Sequence, residues 1–120
     1  MEKEAEGLDW EQTLFTTILH AGNARSAARE AVERAVAGEW EEAERLLKEA
    51  DDEQVKAHQM EAKILHTEAR GEQVPFSILL VHALDLVILA GIEIDNAKEL
   101  LKLHRRVAAL ESEVRSDPDR

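Results

Sequence analysis

The sequence predicts an all-α fold, an antiparallel three-helix bundle. Ala, Leu, Glu, Lys and Arg dominate the 120 residues, against five glycines and two prolines, Pro75 and Pro118; the dominant types are the strongest helix formers. Apolar residues recur at three- and four-residue spacing, with no strand-length alternation between them. Glycine-containing links near Gly38 and Gly71 divide the chain into three long segments, joined tightly enough to pack antiparallel. This length supports one domain, placed at 9–114 between a flexible N-terminus, 1–8, and a flexible tail, 115–120.

The first helix should start at Asp9, whose carboxylate can cap open backbone N–H groups, with Gln12 three residues on. Leu14, Ile18, Ala21, Ala28, Val32 and Ala35 form its inward stripe, and Gly38 ends it. The second helix runs from about Trp40 to Ala69. Its stripe of Trp40, Ala43, Leu47, Ala50, Ala57 and Ile64 is interrupted by Gln54 and Glu61, and Gly71 is the stop. The run Asp51-Asp52-Glu53 reads as a solvated face. The third helix should begin near Pro75 and end by about Val114.

Composition excludes several functions. A net charge of -11 disfavours nucleic acid and anionic membrane surfaces. The chain has no cysteine, hence no disulfide and no thiolate metal site. Its charged start, Met1-Glu2-Lys3-Glu4, is not a signal peptide, and a cytoplasmic location follows as an expectation. There is no Gly-rich phosphate loop and no evident Ser/His/Asp arrangement.

The third helix carries the anomaly. From Ile78 to Ile94 it is apolar nearly all round, broken by His82, Asp85 and Glu93. One bundle cannot cover every face of such a helix. Membrane insertion is rejected, because the stretch is short and has His and Asp in its middle. Self-association with cyclic symmetry is the expectation. Ile78, His82, Asp85, Leu89, Ile92 and Asn96 trace one stripe. Near a symmetry axis, several Asp85 carboxylates would crowd together and call for raised pKa values or a cation.

His82 is the candidate nucleophile, since a neutral imidazole nitrogen is competent near pH 7. His58 and Glu61, three apart on the second helix, form a supporting polar pair. A di-metal carboxylate site is disfavoured, because the His-to-Glu order inverts the usual one.

Several segments resemble, in order, the lactose/cellobiose IIA proteins of the sugar phosphotransferase system. They are Ile18-Leu19-His20-Ala21-Gly22-Asn23-Ala24-Arg25-Ser26, Gly38-Glu39-Trp40-Glu41-Glu42-Ala43, Ala57-His58, Glu68-Ala69-Arg70-Gly71-Glu72, Ser77-Ile78-Leu79-Leu80-Val81-His82-Ala83 and Leu103-His104. The resemblance implies a homotrimer of three-helix bundles. It implies that His82 accepts a phosphoryl group from the carrier protein HPr and passes it to a cysteine of a IIB component, for disaccharide uptake. It also implies Asp85 at the threefold axis, with a divalent cation such as Mg2+.

The match departs from the family in one place. The family's segment reads His, small residue, Gln, Asp, His, whereas this chain has His82-Ala83-Leu84-Asp85-Leu86. Leucine cannot donate a hydrogen bond to a phosphoryl oxygen, and losing such a donor costs on the order of 10²–10³ in rate. A second reading therefore makes the chain an engineered IIA scaffold, impaired in catalysis. Leu84, Leu86, Ile88, Gly91 and Ile92 would then form an apolar face that joins trimers to a second trimer or a designed partner chain.

Overall fold

The computed structural model describes residues 9–119; the expected N-terminal segment 1–8 lies outside them. Three helices follow one another: α1 (Trp10–Val36), α2 (Trp40–Ala69) and α3 (Ile78–Ser116), with no strand among the described residues.

Local chemistry sets the boundaries. The Asp9 carboxylate accepts from the Gln12 N–H at 3.1 Å and opens α1. Gly38 and Gly71 take φ of +78° and +86°. Around each, the chain closes the helix by returning N–H groups to late carbonyls, Glu39 to Arg34 at 2.9 Å and Glu72 to Thr67 at 3.2 Å. The start of α3 differs from expectation. Pro75 lies outside the helix, and Ser77 caps it, its hydroxyl accepting from the Leu80 N–H at 3.0 Å. The helix also continues to Ser116, two residues past the expected end.

The core is built on alanine. On α1, Ala21, Ala24, Ala27, Ala28, Ala31 and Ala35 are buried, facing Ala43, Leu46, Leu47, Ala50 and Ala57 of α2 and Val87, Ala90, Ile94, Ala97 and Leu101 of α3. Small side chains bring the helix axes close, so dispersion contacts accumulate although each residue buries little area. A second, smaller core joins Leu14 of α1, Ile64 of α2 and Ala83 of α3. The start of α1, the end of α2 and the start of α3 therefore meet at one end, as an up-down-up bundle requires.

Polar ties cross this core. Arg25 of α1 forks onto Glu93 of α3, at 3.1 and 3.2 Å. Its hydrogen bond and the Glu93 charge raise the guanidinium pKa above its ordinary value, outweighing burial. Gln54, which looked like a gap in the α2 stripe, is buried and donates to the Val87 carbonyl of α3 at 2.9 Å. The acidic run is not uniformly solvated either. Asp51 pairs with Lys98 at 3.0 Å, and Glu53 is half-buried against His20 of α1 at 2.6 Å, leaving only Asp52 exposed.

Glu53 makes stability pH-dependent. Burial pulls its carboxyl up, but the His20 hydrogen bond and the Lys56 charge prevail and hold it below the ordinary 4.5. A depressed folded-state pKa means that the contribution is complete above the unfolded value and lost as pH falls through the folded one. Glu53→Gln should therefore lower stability by about 1 kcal/mol near neutrality, and the gap should close well below pH 4.5. Urea unfolding at both pH values checks this; a gap that does not change with pH would contradict it.

Candidate functional site

His82 is the fifth residue of α3, just past the turn capped by Ser77. The cap aligns the helix, while Ala83 and the half-buried Leu79, Leu80 and Leu84 press this turn onto Leu14 and Ile64. Anchored from beneath, the turn presents His82 on its outer side. The imidazole is exposed and has no hydrogen bond or ion pair among the described residues, so both ring nitrogens are open to a partner.

Asp85 stands one turn further along and is likewise exposed. Ile78, His82, Asp85, Leu89, Ile92 and Asn96 are all exposed in the single chain, as the predicted stripe requires. Ile78 is 83% exposed and Ile92 51% in the single chain. Among the described residues, no group of three or more His, Cys, Asp or Glu forms a metal site.

His58 and Glu61 do pair, Nδ1 to Oε1 at 3.2 Å, but within α2 and with His58 exposed, not as a buried link between helices. The Gln54 amide reaches His58 Nε2 at 3.3 Å. Both contacts are satisfied when His58 carries its proton on Nδ1, donating to Glu61 and accepting from Gln54. No hydrogen bond joins this cluster to His82.

The five residues expected on an outward apolar face do not share one. Leu86 is half-buried against the main core, and Leu84 against the smaller one. Gly91 is half-buried beside Gln54. Ile88 and Ile92 remain outside. The physical reason is that α3 packs against both other helices, so two of its apolar faces are already inside. Leu84 and Leu86 are thus packing residues of the bundle, and of the five only Ile88 and Ile92 present exposed apolar surface in the single chain.

Within the single chain, no backbone lies close to Gly91. Its backbone is not in the left-handed region, and an added Cβ would meet only the Gln54 amide nitrogen, at an ordinary 3.6 Å. Gly91→Ala should stabilise the protein by about 0.8–1 kcal/mol, the helix-interior difference between the residues. Thermal unfolding reads this directly; a lower melting temperature would mean that the space beside Gln54 is needed.

Sequence reasoning missed the pairs His20–Glu53 and Arg25–Glu93. Their partners lie 33 and 68 residues apart, beyond the reach of helical periodicity.

Known proteins share this architecture. The family described as PTS system, Lactose/Cellobiose specific IIA subunit, matches residues 12–105. The lichenan-specific phosphotransferase enzyme IIA component of Bacillus subtilis is 38% identical over 99 residues, covering 82% of this chain and 90% of that protein. The cellobiose-specific EIIA component of Lactococcus lactis subsp. lactis is 34% identical over 104 residues, covering 87% and 90%. The crystal structure of the cellobiose-specific enzyme IIA from Bacillus anthracis superposes with a TM-score of 0.83 at 35% identity, covering 88% of this chain and 97% of that one. Nothing in these likenesses points to an engineered scaffold. With the bundle, the exposed histidine and matches that span most of the chain in agreement, the protein belongs to the lactose/cellobiose-specific IIA family of the sugar phosphotransferase system.

Proposed function

We propose that the chain is a phosphohistidine carrier working as a cyclic homotrimer in the cytoplasm. His82 takes a phosphoryl group from phosphorylated HPr and passes it to a cysteine of a IIB component, supporting disaccharide uptake. The observation that carries this reading is the exposed, unengaged His82 on an anchored turn of a IIA bundle. In the first step a P–N bond forms to one His82 nitrogen as the bond from phosphorus to HPr breaks. In the second, a P–S bond forms to the IIB thiolate as the His82 P–N bond breaks, and the nitrogen recovers its lone pair. The chain ends each cycle unchanged.

The surroundings suit an anionic adduct. α1 and α2 carry acidic residues in their first turns, whereas α3 carries none. The positive end of its dipole is therefore left for the phosphoryl group. The stripe around His82 is the proposed trimer face. There Asp85 and its symmetry mates would hold a divalent cation such as Mg2+, whose charge would offset the crowding of carboxylates. Among the described residues, no helix is long and apolar enough to cross a membrane. The sugar and its passage then belong to other components.

The test is intact mass after incubation with phosphoenolpyruvate, enzyme I and HPr. The expected result is one acid-labile phosphoryl group per chain. No adduct, with the same partners active on an ordinary IIA protein, would overturn the proposal.

A further inference from the structure

Beyond Arg105, where the family match ends, α3 runs on to Ser116 with every residue exposed. Arg105 itself is tied to the bundle by Glu44 at 2.9 Å and by stacking 4.9 Å from the Trp40 ring centroid. Among the described residues, nothing packs against the helix past it. Leu100, Leu103, Val107, Leu110 and Val114 are nevertheless apolar and exposed, at alternating steps of three and four residues. This is the a/d pattern of a coiled-coil seam, with Leu100, Val107 and Val114 at a, and Leu103 and Leu110 at d. The seam continues the stripe of Ile78, His82, Asp85, Leu89, Ile92 and Asn96, with two successive steps of four at Ile92, Asn96 and Leu100.

The flanking charges choose the occupant. Arg106 falls at g and Glu111 at the following e, five residues on. These are the positions that meet between neighbouring chains in a parallel, in-register coiled coil. Arg106 makes no ion pair among the described residues, and Glu111 meets only Arg115 of its own helix, loosely and in solvent at 3.6 Å. Copies of one sequence therefore supply the complement to their own seam, once per contact around a ring.

We propose that residues 100–114 of α3 form a parallel, in-register coiled-coil stem with the same segment of other copies of this chain, closing the oligomer beyond the region shared with the family. The stem rests on the trimer reading above, because it extends the same face along the same axis. It holds the three third helices in one register, and so fixes how the His82 sites are spaced around the ring.

The sequence lacks cysteine, so a single introduced thiol reports on register. At the a position, Val114→Cys brings symmetry-related thiols near the roughly 4.4–6.8 Å Cα separation that a disulfide spans. Ser112→Cys lies at f, on the outside. The experiment oxidises each variant of the full chain with diamide and reads cross-links on a non-reducing gel, beside sedimentation equilibrium of the unaltered protein. The expected result is trimers in solution, disulfide-linked Val114→Cys chains and single Ser112→Cys chains. Trimers with no preferential linking of Val114→Cys would overturn the stem and leave the trimer reading standing. An unaltered protein that sediments as single chains would overturn both.

Discussion

Replacing His82 by alanine is expected to abolish phosphoryl uptake, although four histidines remain. Each of these stands in a different setting. The His20 ring is held at 2.6 Å by Glu53 and only 19% exposed, so a phosphoryl group there would have to displace this half-buried hydrogen bond. His58 is exposed, but both of its nitrogens are engaged, by Gln54 and Glu61. His66 lies in the last turn of α2, where the negative end of the helix dipole disfavours an anion. His104 is half-buried one residue before the Arg105–Glu44 pair. Only His82 combines exposure with two unengaged nitrogens at the positive end of a helix. Intact mass of His82→Ala should show no acid-labile adduct under conditions that load the unaltered chain. An adduct of equal yield would place the chemistry on another histidine.

Leu89→Asp is expected to convert trimers into folded monomers. Leu89 is 44% exposed in the single chain, one turn from Asp85 on the proposed trimer face. Burying a leucine is worth about 1.5–3 kcal/mol when complete, so each copy contributes roughly half of that. The substitution also places three new carboxylates beside three Asp85 side chains near the axis, where unpaired charge is disfavoured by at least as much again. Summed over three copies, the loss is several kcal/mol, or on the order of 10³-fold or more in association. The monomer should stay helical, because no core residue of the bundle is touched. Sedimentation with circular dichroism reads both properties. Trimers that survive the substitution would show that another face holds the copies together.

Much of the fold was legible because it depends on local rules. Asp9, Gly38 and Gly71 act through their own backbone and nearest carbonyls, so the sequence alone placed them. Pro75 misled by three residues, since the helix starts at Ile78: proline permits a helix start, but Ser77 can bind the Leu80 N–H and proline cannot. The exposed stripe of α3 was legible too, since residues three and four apart must share a side. Which of its other faces would meet α1 or α2 was not. Leu84 and Leu86 differ little from Ile88 and Ile92 in chemistry, and only the packing of three helices turns the first pair in and the second out. Gln54 could not be recognised as a tie, because its partner is the Val87 carbonyl on another helix. His82 stood out as a polar residue in an apolar helix, yet its freedom from partners is a property of the folded chain.

The relay itself is tested most directly by onward transfer. Phosphorylated chain, separated from HPr and enzyme I, is mixed with the IIB component of a cellobiose system, and phosphorus NMR follows the label. The phosphohistidine signal is expected to disappear as a phosphocysteine signal rises on IIB. A phosphohistidine that decays only by hydrolysis, beside a IIB that accepts phosphate from an ordinary IIA protein, would contradict it.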